Sequence, residues 1–154
     1  MRAGLCWQWI DWPAFDPDTL YALLKLRSDI FVVEQNCAYA DMDGLDPRCR
    51  HLVGRDADGR VQAGLRLVPP GIKHDAPALG RLVVAPAWRG AGYGRELMTQ
   101  GIAACAQHYP EQPIFLSGQQ HLEDFYRSLG FETISTPYLE DGIAHVDMLR
   151  PAQT

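Results

Sequence analysis

Gly90, Gly92 and Gly94 alternate with other residues in "VVAPAWRGAGYGRELM", the run 83–98, which joins an apolar stretch ending at Pro86 to a helix-like pattern. Glycines at such a junction lay the backbone bare. Amide N–H groups at a helix N-terminus bind anions, and the missing side chains let a phosphate come close. Three phosphate chemistries compete for the run. A nucleoside-triphosphate loop needs Gly-x-x-x-x-Gly-Lys-Ser/Thr, whereas Arg95 and Glu96 follow the last glycine here. A dinucleotide fold needs Gly-x-Gly-x-x-Gly in an early strand–helix–strand unit; the spacing here is Gly-x-Gly-x-Gly, in mid-chain. A pyrophosphate loop fits, with Arg89 and Arg95 adding charge at its entrance. A plain strand-to-helix turn would need only one glycine. The other reactive side chains suggest less. Cys6, Cys37, Cys49 and Cys105 contain no Cys-x-x-Cys pair, so a reduced, mostly structural set is expected. Cys37, Cys49 and His51 match no zinc spacing, and no metal is expected. Cys37 has no visible base to make it a nucleophile.

The elements that must position this loop follow from pattern. "CWQWIDW" alternates large and polar residues, as a strand does. Asp16 offers a cap and Pro17 a first helical position. Leu20, Leu23, Leu24, Arg27, Ile30 and Phe31 then share a helical face, so the helix should end at Val33 to Gln35. "NCAYADMDGLDPRCR" is a loop with turns at Asp43-Gly44 and Asp46-Pro47. "HLVGRD" and "RVQAGLRLV" are strands about Asp58-Gly59. "PPGIKHDAP" is a proline-stiffened loop, and "ALGRLVVAP" is a strand that ends at Pro86. The helix after the glycines runs to His108. "PIFLSG" is a strand, "QHLEDFYRSLG" a helix closed by Gly130, and "FETIST" a strand. "PYLEDGIAH" turns into a last strand, "AHVDMLR". The order predicts a mixed α/β fold, one domain over 1–154.

Composition narrows the partners. Apolar residues make up 47% and charged residues 21%, the balance of a globular domain with a real core. Fourteen basic against nineteen acidic residues give a net charge of −5, which gives no support for binding nucleic-acid phosphates. No apolar run is long enough for a membrane span. Gln and Asp interrupt "MRAGLCWQWIDWPAFD" too early for a secretion signal, so a cytoplasmic location is expected.

"LVVAPAWRGAGYGRELM" resembles the acetyl-CoA motif Arg/Gln-x-x-Gly-x-Gly/Ala of the GNAT superfamily of N-acetyltransferases, with Arg89, Gly92 and Gly94 at its defining positions. "LEDFYRSLGFE" is similar to that superfamily's second signature through Phe125, Tyr126, Gly130 and Phe131. "LYALLKLRSDIFVVEQNCAY", "DMDGLD", "HLVG" and "YLEDGIAHVDM" together resemble its ElaA-like branch. The superfamily often places Asn seven residues before the tyrosine, on the cofactor; here Gln119 stands there, a longer amide that also donates and accepts.

The resemblance implies a splayed central sheet, with "ALGRLVVAP" and "PIFLSG" parting to admit the pantetheine arm. That arm would pair with the backbone of Leu82, Val83 and Val84 as an added strand. The pyrophosphate would rest on the amides of Arg89, Gly90, Ala91, Gly92, Tyr93, Gly94 and Arg95. Acetyl transfer to an amine then makes three demands: the amine loses a proton, the carbonyl is polarised, and the leaving thiolate is protonated. Tyr126, at the signature position, would serve the sulfur as acid or orienting donor, with an ordinary phenol pKa of about 10. The Val84 N–H is a candidate for the carbonyl. Glu34, after the apolar "IFVV", and His145, after the "EDGIA" turn, are candidate bases; a water chain is a third route, and Glu34 could instead bind a cationic acceptor. Asp41, Asp43 and Asp46 are either solvated turn acids or an acidic lip that attracts an amine. The expected activity is acetyl-CoA-dependent N-acetyl transfer by direct reaction in a ternary complex, in a monomer or homodimer. The alternative is a non-catalytic CoA-binding sensor or interaction module. The acceptor stays open among small amines, antibiotics, peptide N-termini and protein lysines.

Overall fold

The computed structural model describes residues 3–152, so Met1 and Arg2 of the N-terminal run lie outside it. Eight strands form one sheet in the order β1-β2-β3-β4-β5-β8-β6, with β7 paired to β8. They are β1 (Cys6–Asp11), β2 (Arg50–Arg55), β3 (Val61–Val68), β4 (Ala78–Val84), β5 (Ile114–Gln119), β6 (Glu132–Thr133), β7 (Tyr138–Glu140) and β8 (Ile143–Arg150). Helix α1 (Pro17–Arg27) lies on one face, and α2 (Tyr93–His108) and α3 (Glu123–Arg127) lie on the other. This is the expected mixed α/β fold with an open sheet.

Each helix starts or stops for a local reason. The Asp16 carboxylate accepts from the Thr19 amide at 2.9 Å, and Pro17 occupies the first turn of α1. Beyond Arg27 the chain does not stop; it widens into a π-helical segment, Ser28–Glu34. The Gln35 amide reaches Ile30 O at 3.0 Å, and the Cys37 amide reaches Val32 O at 3.0 Å. The main core lies between the sheet and α2, where Leu52, Leu65, Leu67, Leu97, Met98, Leu116 and Met148 are buried. A second cluster, Ile10, Leu23 and Val53, seats α1 on the opposite face.

One side-chain network ties the loop after α1 to the sheet. Arg27 and Arg66 are each only 1% exposed. Arg27 donates to Asp41 Oδ2 at 3.0 Å and to Asp46 at 2.9 and 3.2 Å. Arg66 donates to Asp43 at 2.9 Å through two nitrogens and to Asp46 at 3.1 Å. Arg81 stands against Asp41 at 2.8 Å and donates to Asp43 at 3.3 Å. Asp41 and Asp46 are thus buried rather than solvated, while Asp43 stays exposed as a turn acid that also accepts the Leu45 amide at 3.0 Å; arginines from α1, β3 and β4 pair with all three.

The C-terminal part departs from the sequence reading. "QHLEDFYRSLG" is a short 3-10 turn, Gln120–Leu122, followed by only five α-helical residues. "FETIST" keeps strand form only at Glu132 and Thr133; the Ile134 amide still bonds Asp147 O at 2.9 Å, but the Asp147 amide donates to the Ser135 hydroxyl and the ladder ends. "PYLEDGIAH" contains a strand: β7 and β8 form a hairpin about Asp141-Gly142, with φ of +51 and +79. Two positive φ values in an Asp-Gly pair favour a tight two-residue hairpin turn.

Candidate functional site

Strands β4 and β5 are parallel and share one pairing, Ala78 with Phe115, at their N-terminal ends. Past it they part, and a cleft opens toward their C-terminal ends. A bulge in β4 turns that strand away: Gly64 pairs with Val83 but Arg66 with Gly80, so Arg81 and Leu82 together face Leu65. Arg81 sits at φ +50, a conformation that needs outside support in a residue with a side chain. Its ion pairs to Asp41 and Asp43 and the Tyr39 ring 5.7 Å from its guanidinium supply that support.

The bulge and the register decide where the next amides point. The Ala85 amide bonds Gln62 O at 2.8 Å, so Ala85 and then Val83 turn their backbone groups to β3. Bonded and non-bonded pairs alternate in an antiparallel ladder. The Val84 N–H and C=O therefore face the cleft. Arg89 Nε donates to that carbonyl at 3.2 Å, and the amide is left toward the cleft.

The glycine run lies at the same end. Gly90 and Gly92 have φ of +82 and +85, and Gly92 is the N-cap of α2. Among the described residues no side chain caps α2. Its first amides, from Tyr93, Gly94 and Arg95, therefore end a helix that can accept an anion. The glycines divide by role. A side chain would have open space at Gly90 and Gly92 but would strain the backbone there. Gly94 has an ordinary helical φ, and an added Cβ would meet only Phe125 at 3.9 Å, so its bareness matters for close approach alone. Gly92→Val is expected to weaken CoA binding by about 1–3 kcal/mol and to lower the melting temperature, since the turn itself is strained. Gly94→Ala is expected to weaken CoA binding while leaving the unliganded protein at least as stable, Ala being the better helix former. Melting curves with and without CoA separate the two; equal behaviour of both variants would reject this division.

Other residues of the run have turned elsewhere. The Tyr93 ring packs on Trp7 and Trp88, with centroids 6.2 and 5.8 Å away. Arg95 donates to Ser128 at 2.8 Å and lies 5.6 Å from the Phe125 ring centre, which joins the loop to the second signature.

Tyr126 lies beneath β5. A Cβ at Gly118 would stand 2.8 Å from its ring, so the glycine makes room for it. The residue is 7% exposed, and its hydroxyl has no hydrogen-bond partner among the described residues. Burial pushes its phenol up to about 12. Gly130, at φ +93, ends the helical turn, and the Phe131 amide bonds Tyr126 O at 3.2 Å.

Neighbouring side chains on a strand alternate between faces. With Gly118 toward Tyr126, Ser117 and Gln119 project from the other face, where β8 places Asp147 and His145 opposite them. His145 Nδ1 lies 2.7 Å from Ile143 O, so Nδ1 carries the proton and Nε2 is the open nitrogen. Glu140 stands 3.6 Å from Nε2. Tyr138, missed in the sequence because its strand was missed, stacks on His145 at 6.1 Å. Its hydroxyl donates to Asp147 at 2.6 Å and lies 2.5 Å from the Ser117 hydroxyl. Tyr126 and His145 thus flank β5 from opposite faces.

Glu34 is not free. Arg89 donates to its two oxygens at 2.7 and 3.2 Å, in a pair about two-fifths exposed. Gln119 donates to Gln35, another residue the sequence reading overlooked, at 3.2 Å. Among the described residues no group of His, Cys, Asp and Glu is arranged to hold a metal, and Cys37 and Cys49 donate to separate backbone carbonyls, of Asp141 and Leu45.

Known proteins resemble this chain in sequence and in fold. Residues 56–150 match the family described as "Acetyltransferase (GNAT) domain". The chain is 40% identical to protein ElaA of Escherichia coli over 146 residues, 94% of this chain and 95% of that protein. The crystal structure of E. coli ElaA superposes with a TM-score of 0.88 at 38% identity, covering 95% of this chain and 99% of that one. The crystal structure of an acyl-CoA N-acyltransferase from Pseudomonas aeruginosa superposes with a TM-score of 0.90, also at 38% identity, with the same coverage.

Proposed function

Because the chain belongs to the GNAT acetyltransferase family, we propose that it transfers an acetyl group from acetyl-CoA directly to an amine, as a cytoplasmic enzyme. The observation that carries this is the parting of β4 and β5 beside the uncapped N-terminus of α2. An open strand edge and a cluster of free amides at one end of one cleft suit a long thiol ester with a pyrophosphate at its far end.

Bound acetyl-CoA supplies the activated acetyl group; the protein's own residues do the rest. The amides of Gly92 to Arg95 and the Arg89 guanidinium hold phosphate charge. The edge from Leu82 to Val84 takes the amide-bearing arm, and the Val84 N–H points where a carbonyl oxygen would gain charge. Tyr126, protonated up to about pH 12, donates a hydrogen bond to the sulfur from one face of β5. His145 takes the amine's proton on Nε2 from the other face, with Glu140 as counter-ion. Glu34, held by Arg89, is the weaker candidate for base.

The test is incubation with isotope-labelled acetyl-CoA and a panel of small amines, aminoglycosides, peptides and proteins, following labelled product and free thiol together. Labelled amide with equal thiol release is expected. Tight CoA binding with no transfer to any member would favour a sensor or interaction module instead.

A further inference from the structure

Glu34 and Gln35 are consecutive, and they reach opposite walls of the cleft. Glu34 pairs with Arg89, just past the end of β4, and Gln35 accepts from Gln119, the last residue of β5. The end of the π-helical segment therefore crosses the cleft where the two strands have already parted. Both of its partners are groups assigned above to acetyl-CoA.

The fit at Arg89 is specific. All three nitrogens of its guanidinium are engaged, Nε by the Val84 carbonyl and the other two by Glu34. A carboxylate on the two terminal nitrogens occupies the fork that a phosphate would use. The crossing segment is also lightly held. Ile30 is its one buried side chain, and Val33, beside Glu34, is 70% exposed. Segments with i→i+5 bonds are uncommon and occur often at functional sites.

We propose that Glu34 and Gln35 form a strap that closes the donor cleft in the free protein, and that CoA binding displaces it by exchanging the Glu34 carboxylate for pyrophosphate on Arg89. Glu34 then sets donor affinity rather than taking a proton. The proposal rests on the reading of Arg89 and Gln119 as donor-site groups.

Calorimetric titration with CoA tests it without knowledge of the acceptor. Glu34→Gln keeps the size of the side chain but removes the charge that competes for Arg89, so CoA should bind roughly two- to fivefold tighter, the scale of an exposed ion pair. In an Arg89→Gln background the same change should have no effect. Hydrogen exchange of the wild-type protein gives a second reading. The Gln35 and Cys37 amides should exchange faster with CoA bound, while those of Tyr93 to Arg95 slow. Unchanged or weaker CoA binding by Glu34→Gln overturns the strap, as does protection of Gln35 and Cys37 by CoA. A wild-type protein that takes up no CoA would overturn the donor site itself, and the strap with it.

Discussion

Tyr126→Phe is expected to lower turnover by about 10²- to 10⁴-fold, the range for losing a general acid or its equivalent, while the protein stays folded and binds CoA normally. The hydroxyl has no partner among the described residues, so its removal breaks no bond in the free protein. The ring remains in the space under Gly118. Burial pushes the phenol above its unperturbed value of about 10, up to about 12. It therefore stays protonated across the working range, and wild-type turnover should show no alkaline fall caused by Tyr126 below about pH 11. A thiolate that formed beside this hydroxyl would gain from the donor. Steady-state kinetics with the best acceptor from the amine panel decide the matter. Wild-type kcat in Tyr126→Phe would remove the hydroxyl from the mechanism.

Arg27→Met should be the most damaging change to stability, with a loss of up to about 3–5 kcal/mol, because it takes away one of the two cations on each of Asp41 and Asp46 and leaves them only Arg81 and Arg66. The same network predicts acid sensitivity. Burial alone would raise Asp46 and Asp43, but Arg27 and Arg66 on Asp46, and Arg66, the Leu45 amide and Arg81 on Asp43, outweigh it and hold both carboxyls below the usual range. A carboxyl lowered by folding contributes stability above its unfolded pKa of about 3.9 and loses it as pH falls toward the folded value. Urea midpoints should therefore drop steeply below about pH 4 in the wild type. Arg27→Met should start lower at pH 7 and fall less on acidification. A loss under about 1 kcal/mol at pH 7 would show that the network is dispensable.

The backbone of the candidate donor site was legible, because positive φ and element ends leave marks in residue type. Gly90 and Gly92 announce positive φ, Pro86 ends β4, and Phe125, Tyr126 and Gly130 fix a short turn under β5. The Asp16 cap and the hairpin at Asp58-Gly59 were readable for the same local reason. Partners distant in sequence were not. Nothing near Asp41, Asp43 or Asp46 indicates that Arg27, Arg66 and Arg81 will pair with them, and nothing near Glu34 points to Arg89, which lies 55 residues away. The face of the sheet that carries Tyr138 was missed for a different reason. A three-residue strand, Tyr138–Glu140, carries too little alternation to register, although Asp141-Gly142 beside it is a hairpin signal. That oversight hid Tyr138 and its links to His145, Asp147 and Ser117. The bulge at Arg81 was hidden as well, because an arginine at positive φ is held there by tertiary ion pairs and not by its own preference.

Titration of the wild-type protein with acetyl-CoA, read by calorimetry and by melting temperature, tests the proposed donor site between β4 and β5 most directly. The account predicts saturable binding at one site per chain. It also predicts a melting temperature that rises with ligand, since a ligand selective for the folded state stabilises it by about 2.7 kcal/mol at a hundred times its Kd. No heat and no shift at millimolar acetyl-CoA would contradict it.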